Sequence, residues 1–380
     1  MSERKSTVTF ILILAGLVIA TFGAYAFARL LNLKPSPTFS TTYDQAVISI
    51  PFPVSQTKIV AKLLGRIHSF AVSPDMKTIA IATSKGVFLY DLQSYEQLRI
   101  LNSKENSFSV AFSPDGKRLA TGNLIMQNSQ AGKPHLVVWD TSTWEAVFEP
   151  KIGNNDTTMF FGALAWSPKG SLIATSDYDR GLVTFDTKTG KIISLQEDFL
   201  VSPYDISWSP NGSRMVATGD LGYGFRRWRI DTDESVRLYD PRAATLAVQI
   251  AWSSNGSRIA SVHADGTVCF WAVSTNHCDG FIKAHPTTAF SLAWSSDGSQ
   301  LATGGGVIRI WDTHTGNMIT SFGLNPIGSI YSQLEWLADG TLVSLETGYA
   351  ERELTVIRFW DIDTGEILMK FLGASGTFGE

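Results

Sequence analysis

Four of the six histidines lie between residues 263 and 314, and a metal site is the first chemistry that this spacing suggests. Imidazole nitrogens near Asp265, Cys278 and Asp279 are the ligand types that zinc prefers. No motif in the sequence points to hydrolase, nucleotide-binding or zinc-protease chemistry: it has no G-x-S-x-G elbow, no G-x-x-x-x-G-K phosphate loop and no H-E-x-x-H helix. We therefore predict no enzyme activity, no catalytic residues and no cofactor.

The elements that would position these histidines are marked by a recurring corner. It reads SPDG at 113–116, and related four-residue corners begin at residues 73, 167, 209, 253, 295 and 337. The seven starts are separated by 40, 54, 42, 44, 42 and 42 residues. A period in the forties is the signature of a repeat architecture rather than of two unlike domains.

Each repeat predicts four short strands with alternating apolar residues. In the sixth repeat these are FSLAW at 290–294, SQLATG at 299–304, VIRIWD at 307–312 and MITSF at 318–322. Pro and Gly in the corners supply the dihedral angles that tight turns need. A single four-stranded sheet cannot bury both faces, whereas seven sheets stacked around an axis can.

Ten of the eleven tryptophans occupy two repeated positions, which predicts core roles for them rather than ligand binding. One position precedes the corner and the other ends the third strand. The residues are Trp166, Trp208, Trp252, Trp294 and Trp336 at the first position, and Trp139, Trp228, Trp271, Trp311 and Trp360 at the second.

The endings VVWD at 137–140, IRIWD at 308–312 and IRFWD at 357–361, together with SPDGKRLATG, resemble WD40 repeats. The resemblance covers residues 57 to about 372 and implies a seven-bladed all-β propeller. It also implies a scaffold that presents binding loops and carries no catalysis of its own.

The repeats depart from the family's hydrogen-bonded set of His, Ser or Thr, Asp and Trp. Blade five has Ser261, Asp265 and Trp271 but no matching His, and blade six has His285, Thr303 and Trp311 but no Asp. The N-terminal strand usually closes such rings. Here both 57–64 and 365–372 read as a fourth strand, so one of them must be an extra pairing.

The predicted strand directions weaken the metal hypothesis. His263 and His285 would flank turns at one rim, whereas His277 would lie at the opposite rim. We therefore expect no metal site. The same alignment places Cys269 and Cys278 at positions that are not opposite each other, so we expect two free thiols, although an exported protein could pair them.

Length differences between repeats predict a partner-binding surface. The longest excess is 123–135 in blade two, with further long connections at 151–160, 219–225 and 345–354, all on one rim. Aromatic, Met and Arg side chains are enriched at interface centres. The candidate contacts are Met126, Tyr223, Tyr349 and Arg352. Insertion drift in surface loops is the alternative explanation.

The N-terminus predicts a membrane segment. Ser6–Ala28 is uncharged between Lys5 and Arg29, which is long enough for a helix to span a bilayer through residues 7–28. We favour an uncleaved signal anchor over a secretory signal cut near Ala26, because a secretory apolar core is usually shorter. The predicted domains are an anchor (1–29), a linker rich in Pro, Ser and Thr (30–57), a propeller (58–373) and a tail (374–380).

The formal net charge of −4 offers no basic surface for nucleic acid, and the run Arg226, Arg227 and Arg229 reads as solvated strand faces. The leading prediction is a membrane-anchored or secreted scaffold that binds protein partners, with the propeller outside the cytoplasm by the positive-inside tendency. Two alternatives stay open: an exported hydrolase-like propeller that uses the central funnel, and a propeller tethered to the inner leaflet.

Overall fold

The computed structural model describes residues 58–103, 105–127, 130–149, 162–177, 181–196, 203–219, 224–243, 245–323, 330–348 and 354–374. The predicted anchor and linker lie outside these residues. Among the residues described, no helix has both the length and the apolar character needed to cross a bilayer.

The described residues form seven sheets, antiparallel except where one extra strand joins the last sheet, and the predicted seven-bladed all-β architecture is confirmed. The first three blades comprise β2 (Ile67–Val72), β3 (Thr78–Thr83), β4 (Gly86–Asp91) and β5 (Gln97–Leu101); β6 (Asn106–Phe112), β7 (Arg118–Gln127), β8 (Gln130–Asp140) and β9 (Ala146–Phe148); and β10 (Leu164–Trp166), β11 (Leu172–Asp177), β12 (Gly181–Asp186) and β13 (Ile192–Gln196).

The next two are β14 (Ile206–Trp208), β15 (Arg214–Ala217), β16 (Phe225–Arg229) and β17 (Ser235–Leu238), and β18 (Ala247–Trp252), β19 (Arg258–His263), β20 (Thr267–Ala272) and β21 (His277–Lys283). A 3-10 turn at Pro241–Ala243 joins these two blades. The last two are β22 (Ser291–Trp294), β23 (Gln300–Gly304), β24 (Ile308–Asp312) and β25 (Met318–Phe322), and β26 (Ile330–Trp336), β27 (Leu342–Thr347), β28 (Leu354–Trp360) and β29 (Ile367–Ala374).

The tryptophans before the corners occupy core positions, as their repetition predicted, and in blades three, four and six their indoles also donate to the preceding blade. The indole Nε1 of Trp166 donates to the carbonyl oxygen of Ala111 at 3.0 Å, and that of Trp208 donates to Ala165 at 3.2 Å. Apolar clusters fill the spaces between neighbouring blades, and Trp228, Trp271 and Trp360 at the ends of third strands are among the largest fully buried side chains.

The corners are held by a short polar side chain that caps the turn. Ser113 Oγ donates to Asp115 Oδ1 at 2.6 Å, and Gly116 takes a φ of 69°, which a side chain would disfavour. This hydrogen bond is the main reason that the pKa of Asp115 lies below its usual value. Asn211 and Asn255 replace the carboxylate in blades four and five.

Ring closure resolves the question of the eighth strand. β1 (Lys58–Leu64) pairs in parallel with β29, as a fifth strand on a blade whose other four strands all come from the C-terminal part of the chain. Leu63 of β1 is buried in the cluster between blades seven and one, and Lys58 Nζ lies 3.5 Å from the ring centroid of Tyr95 in blade one. β1 therefore fastens the seam where the two ends of the propeller meet.

The expectation of two free thiols is wrong, because Cys269 and Cys278 are disulfide-bonded, with Cα atoms 5.9 Å apart. A β-bulge between Phe270 and Trp271 shifts the register of β20 and β21, so that Cys278 lies opposite Trp271. Opposed residues share a face of the sheet, and residues two apart on a strand do too. The bulge thus brings Cys278 to the face that Cys269 occupies, which an alignment of repeats cannot show.

Candidate partner-binding rim and channel

The strand directions give the ring two distinct rims. The connections from second to third strands, and from each blade to the next, share what we call the upper rim, and the corners share the lower rim. β1 runs parallel to β29, which ends at the upper rim. Lys58 therefore lies at the lower rim, and the chain before it enters the propeller there.

The extra length in blade two is a projecting β-hairpin rather than an irregular loop. β7 and β8 have 10 and 11 residues, whereas β3 and β4 of blade one have six each. Pairing continues past Asn123, the residue equivalent to the end of β3, and reaches Gln127 and Gln130. Four further residues at about 3.3 Å each extend this ribbon by ~13 Å.

The structure places one of the four predicted contact residues. Met126 lies near the end of β7 and pairs with Ala131 of β8, so it belongs to the projecting part of the hairpin. Tyr223, Tyr349 and Arg352 lie outside the described residues, as do most of the residues in the long connections 151–160, 219–225 and 345–354.

Of the four histidines that suggested a metal site, His263 and His285 are buried and hydrogen-bonded within the blades, whereas the other two, His277 and His314, are exposed. His285 Nε2 and Trp311 Nε1 each lie 2.9 Å from Thr303 Oγ1. Burial is the main cause that lowers the pKa of His285 to about 3, so its ring is neutral at physiological pH. Within the residues that the structure describes, no group of three or more His, Cys, Asp or Glu is arranged to hold a metal ion.

Blade five supplies its missing histidine from an unexpected place. His263 Nε2 lies 2.9 Å from Ser261 Oγ, which accepts from Trp271 Nε1 at 2.8 Å. His263 stands two residues beyond Ser261 on β19, whereas the family's hydrogen-bonded set has its histidine before the first strand. The signal was present in the sequence as a histidine at the end of the second strand.

The innermost strands line the axis of the ring, because the first strands of successive blades contact one another. In blades one, two, five and seven a β-bulge leaves one residue of this strand unpaired. These residues, and those at the same position in blades three, four and six, stand five places before the corner and close to the upper rim. In ring order they are His68, Phe108, Gly162, Tyr204, Val248, Phe290 and Ser332.

Aromatic rings dominate this circle of seven positions, which we call the channel mouth. The ring centroids of His68 and Phe108 lie 4.9 Å apart across the boundary between blades one and two. Burial, and then the nearby Arg66, lowers the pKa of His68 to about 4, so the ring is neutral. Burial raises the pKa of Tyr204 to about 12, so its phenol keeps its proton.

Two carboxyl groups stand beyond the mouth positions toward the lower rim, Asp205 one residue after Tyr204 and Glu335 three residues after Ser332, and the sequence analysis named neither. Asp205 Oδ2 accepts a hydrogen bond from the backbone N–H of Ile250 at 2.9 Å. Glu335 accepts one from the backbone N–H of Val72. Burial raises the pKa of each to about 7 despite these bonds.

This architecture is a seven-bladed β-propeller, and two of its blades are similar to WD40 repeats. Residues 243–272 and 276–312, in blades five and six, match the family model described as "WD domain, G-beta repeat". The family resemblance drawn from the corners and the Trp-Asp endings is supported by this match.

Relatives of the chain include WD repeat-containing proteins. It is 29% identical to a WD repeat-containing protein WDS homolog of Arabidopsis thaliana over 33% of this chain and 23% of that one. It is 25% identical to the WD repeat-containing protein VIP3 of the same plant over 35% and 45%. It is 24% identical to the plant's cell division cycle 20.5, cofactor of APC complex, over 74% and 53%. The matches thus span about a quarter to a half of these relatives.

Proposed function

We propose that the protein is a non-catalytic scaffold that binds a protein partner through the upper rim of its propeller. The projecting hairpin of β7 and β8 carries this proposal, because a blade needs only a short turn at that place and the extra length has no role in the ring. One relative, cell division cycle 20.5, is named as a cofactor of APC complex, which fits a scaffold.

The contact surface in this proposal comprises Met126 on the hairpin together with Tyr223, Tyr349 and Arg352 on the neighbouring upper-rim connections. Blades seven and two are separated only by blade one, so their connections are close around the ring. A partner would bridge them above the channel mouth.

The proposal also includes an anchor in the bilayer through residues 7–28 and a propeller outside the cytoplasm. The disulfide between Cys269 and Cys278 supports export, because such bonds persist in oxidising compartments. The direction of β1 supports a defined orientation, because the linker joins the lower rim. The upper rim then points away from the bilayer, where a partner can reach it.

The binding proposal is tested with a variant in which 124–133 is replaced by a two-residue turn. The partner is first identified by proximity labelling on the intact protein, and its binding is then measured with wild type and variant. We expect the shortened variant to lose most binding while its thermal stability is unchanged. Equal binding by both proteins removes blade two from the site.

The topology is tested with a reporter enzyme fused to the C-terminus that is active only outside the cytoplasm. Activity with the anchored protein in the membrane fraction supports the proposal. Activity only from a reporter specific for the cytoplasm favours the propeller tethered to the inner leaflet, and release into the medium favours cleavage near Ala26.

One observation favours the alternative of a hydrolase-like propeller: Asp205 and Glu335 lie below the channel mouth, and a carboxyl with a pKa of about 7 suits acid–base catalysis. They belong to blades four and seven, which are not neighbours. A screen of common ester, phosphate and glycoside substrates tests this alternative, and turnover that disappears in Asp205→Asn or Glu335→Gln would establish it.

A further inference from the structure

An arginine at the start of the second strand links each of two blades to the blade that follows. Arg118 Nη1 of blade two donates to the carbonyl oxygen of Thr187 at 2.7 Å, and Arg258 Nη1 of blade five donates to that of Thr313 at 3.0 Å. Both carbonyls belong to the residue directly after the third strand of the next blade. The arginine thus joins neighbouring blades near the lower rim.

Blade four has the equivalent arginine but makes the link with another one. Arg214 begins its second strand, yet the equivalent carbonyl, that of Val273 in blade five, accepts from Arg227 Nη1 on the third strand at 3.1 Å. Among the residues that the structure describes, the Arg214 side chain has neither a hydrogen-bond nor an ion-pair partner. Arg214 is therefore a partly buried guanidinium that is not needed for the link between these blades.

Arg214 and Arg227 lie on the same face of blade four. Arg227 pairs with Val216, which stands two residues after Arg214 on β15. Val216 packs in the apolar cluster between blades four and five, so both arginines face blade five. Burial lowers the pKa of Arg227, and the nearby charge of Arg214 lowers it further. Two cations that repel each other in this way are stabilised by an added anion.

The acidic residues of the turn below these arginines have partners elsewhere. Asp231 and Glu234 lie 2.9 Å and 3.9 Å from guanidinium nitrogens of Arg229, the third arginine on this face. Asp233 accepts a hydrogen bond from Ser194 Oγ of blade three at 2.9 Å, on the opposite side of blade four. None of these three carboxylates is thus engaged with Arg214 or Arg227.

Blade five lacks a carboxylate that most blades have beside this carbonyl. In five blades an aspartate at the end of the third strand caps the following turn: Asp91, Asp140, Asp186, Asp312 and Asp361. Ala272 takes this place in blade five, directly before Val273. The other nearby carboxylates, Asp240 and Asp279, pair with Arg242 and Arg258. In the described part of the chain, the pair Arg214 and Arg227 therefore has no counter-charge.

We propose that Arg214 and Arg227 bind a doubly charged oxyanion, of the phosphate or sulfate class, at the lower rim between blades four and five. Arg227 uses Nη1 for Val273 and leaves its other N–H groups available, while Arg214 offers its whole guanidinium. The planar guanidinium donates pairs of N–H groups that match phosphate oxygens. A dianion interacts about twice as strongly as a carboxylate with each arginine at the same distance. The site is separate from the upper rim and does not depend on the proposed partner-binding surface.

The test uses the full-length protein in neutral detergent micelles at pH 8 and low ionic strength. Binding of inorganic phosphate, sulfate and acetate is measured by titration calorimetry. We expect phosphate and sulfate to bind about tenfold more tightly than acetate, because of their second charge. Equal affinities for sulfate and acetate, or no binding of any anion, overturn the inference.

Glycerol 3-phosphate distinguishes two sources of the ligand. If it binds as tightly as inorganic phosphate, the site accepts a phosphate ester carried by a larger molecule. If only the inorganic dianions bind, the ligand is the free ion. Both results support the site and differ only in what supplies the oxyanion.

Two substitutions change the charge of the site in different ways. Arg214→Gln leaves the bond between Arg227 and Val273 in place and should weaken phosphate binding about tenfold with little change in thermal stability. Ala272→Asp supplies the carboxylate that other blades have and should weaken phosphate binding several-fold without removing either arginine. Arg118→Gln in blade two is the matched control and should bind phosphate as wild type does. Wild-type affinity in Arg214→Gln contradicts the assigned site.

Discussion

Asp205 and Ile250 connect blade four to blade five at the wall of the channel, where the carboxylate Oδ2 accepts the backbone N–H at 2.9 Å. Gln249 makes the matching link to blade six, because its Oε1 accepts the N–H of Leu292 at 2.6 Å. Side chains of the innermost strands thus join neighbouring blades. Asp205 and Glu335, which accepts the N–H of Val72 in blade one, make such links with groups that titrate near neutrality, and this leads to a pH dependence.

Asp205→Asn should make the protein more stable than wild type at pH 8 and should change its stability less at pH 5. The pKa of Asp205 is raised from 3.8 to about 7, so between these values the folded protein holds a proton that the unfolded chain has lost. The stability of wild type therefore falls as pH rises through this window. We expect the variant to gain about 1–2 kcal/mol at pH 8.

Urea denaturation at pH 5 and pH 8 measures this effect. Asp297→Asn is the control, because hydrogen bonds from Ser295 and Ser299 lower the pKa of Asp297 to about 2. That carboxylate contributes stability above the unfolded pKa and loses it only below pH 4, so its removal should cost the same at both pH values. A pH-independent effect of Asp205→Asn would contradict the prediction.

Ser261→Ala should destabilise blade five by about 1–3 kcal/mol, since it leaves two buried polar groups without their partner. Ser261 Oγ accepts from Trp271 Nε1 and bonds His263 Nε2 within the blade. Thermal unfolding followed by near-ultraviolet circular dichroism measures the loss. Ser274→Ala, at an exposed position in the same blade, should have no effect. Similar melting of both variants would show that the network adds nothing.

Removal of the disulfide should lower the free energy of unfolding by about 2–3 kcal/mol, from the chain entropy of the short loop that it closes. The purified protein should show no reactive thiols before reduction in denaturant and two afterwards, because Cys269 and Cys278 are its only cysteines. Cys269→Ala with Cys278→Ala is compared with wild type under oxidising and reducing conditions. A reductant should affect wild type alone, and two thiols in unreduced protein would disprove the pairing.

Leu63→Ala should cost about 2–3 kcal/mol, and Leu64→Ala should cost almost nothing. Leu63 is 2% exposed and packs at the seam between blades seven and one, whereas its neighbour Leu64 is 63% exposed. Chemical denaturation of the two variants compares β1 residues of the same type one position apart. Equal losses would mean that β1 does not fasten the ring.

The number of blades and most of the buried positions could be predicted from the sequence. The corner repeats seven times, and Trp271 and Trp360 stand at equivalent places because each blade buries the same positions against its neighbour. For the candidate contact residues, the sequence predicted the rim on which they lie but not the element that carries them. The hairpin that carries Met126 shows why, because the extra residues of blade two read as a loop although they continue the ladder.

Two features depended on the tertiary structure. The pairing of Cys269 with Cys278 requires a one-residue bulge that reverses which face a side chain occupies. The same bulge recurs between the third and fourth strands of six blades, but the alternation of apolar residues in the sequence does not indicate it. Asp205 and Glu335 link neighbouring blades only through hydrogen bonds from distant backbone N–H groups. Asp205 accepts from Ile250, 45 residues along the chain, and Glu335 accepts from Val72 in the first blade.

The sequence by itself determined the architecture, because periodic corners and alternating apolar residues specify four-stranded sheets that must stack to bury both faces. The tertiary structure decided how the ring closes and what lines its axis. Closure by β1 is a pairing between the two ends of the propeller, and the channel mouth gathers one residue from each blade. Both depend on contacts between residues that are far apart in the sequence, and local sequence patterns carry no information about such contacts.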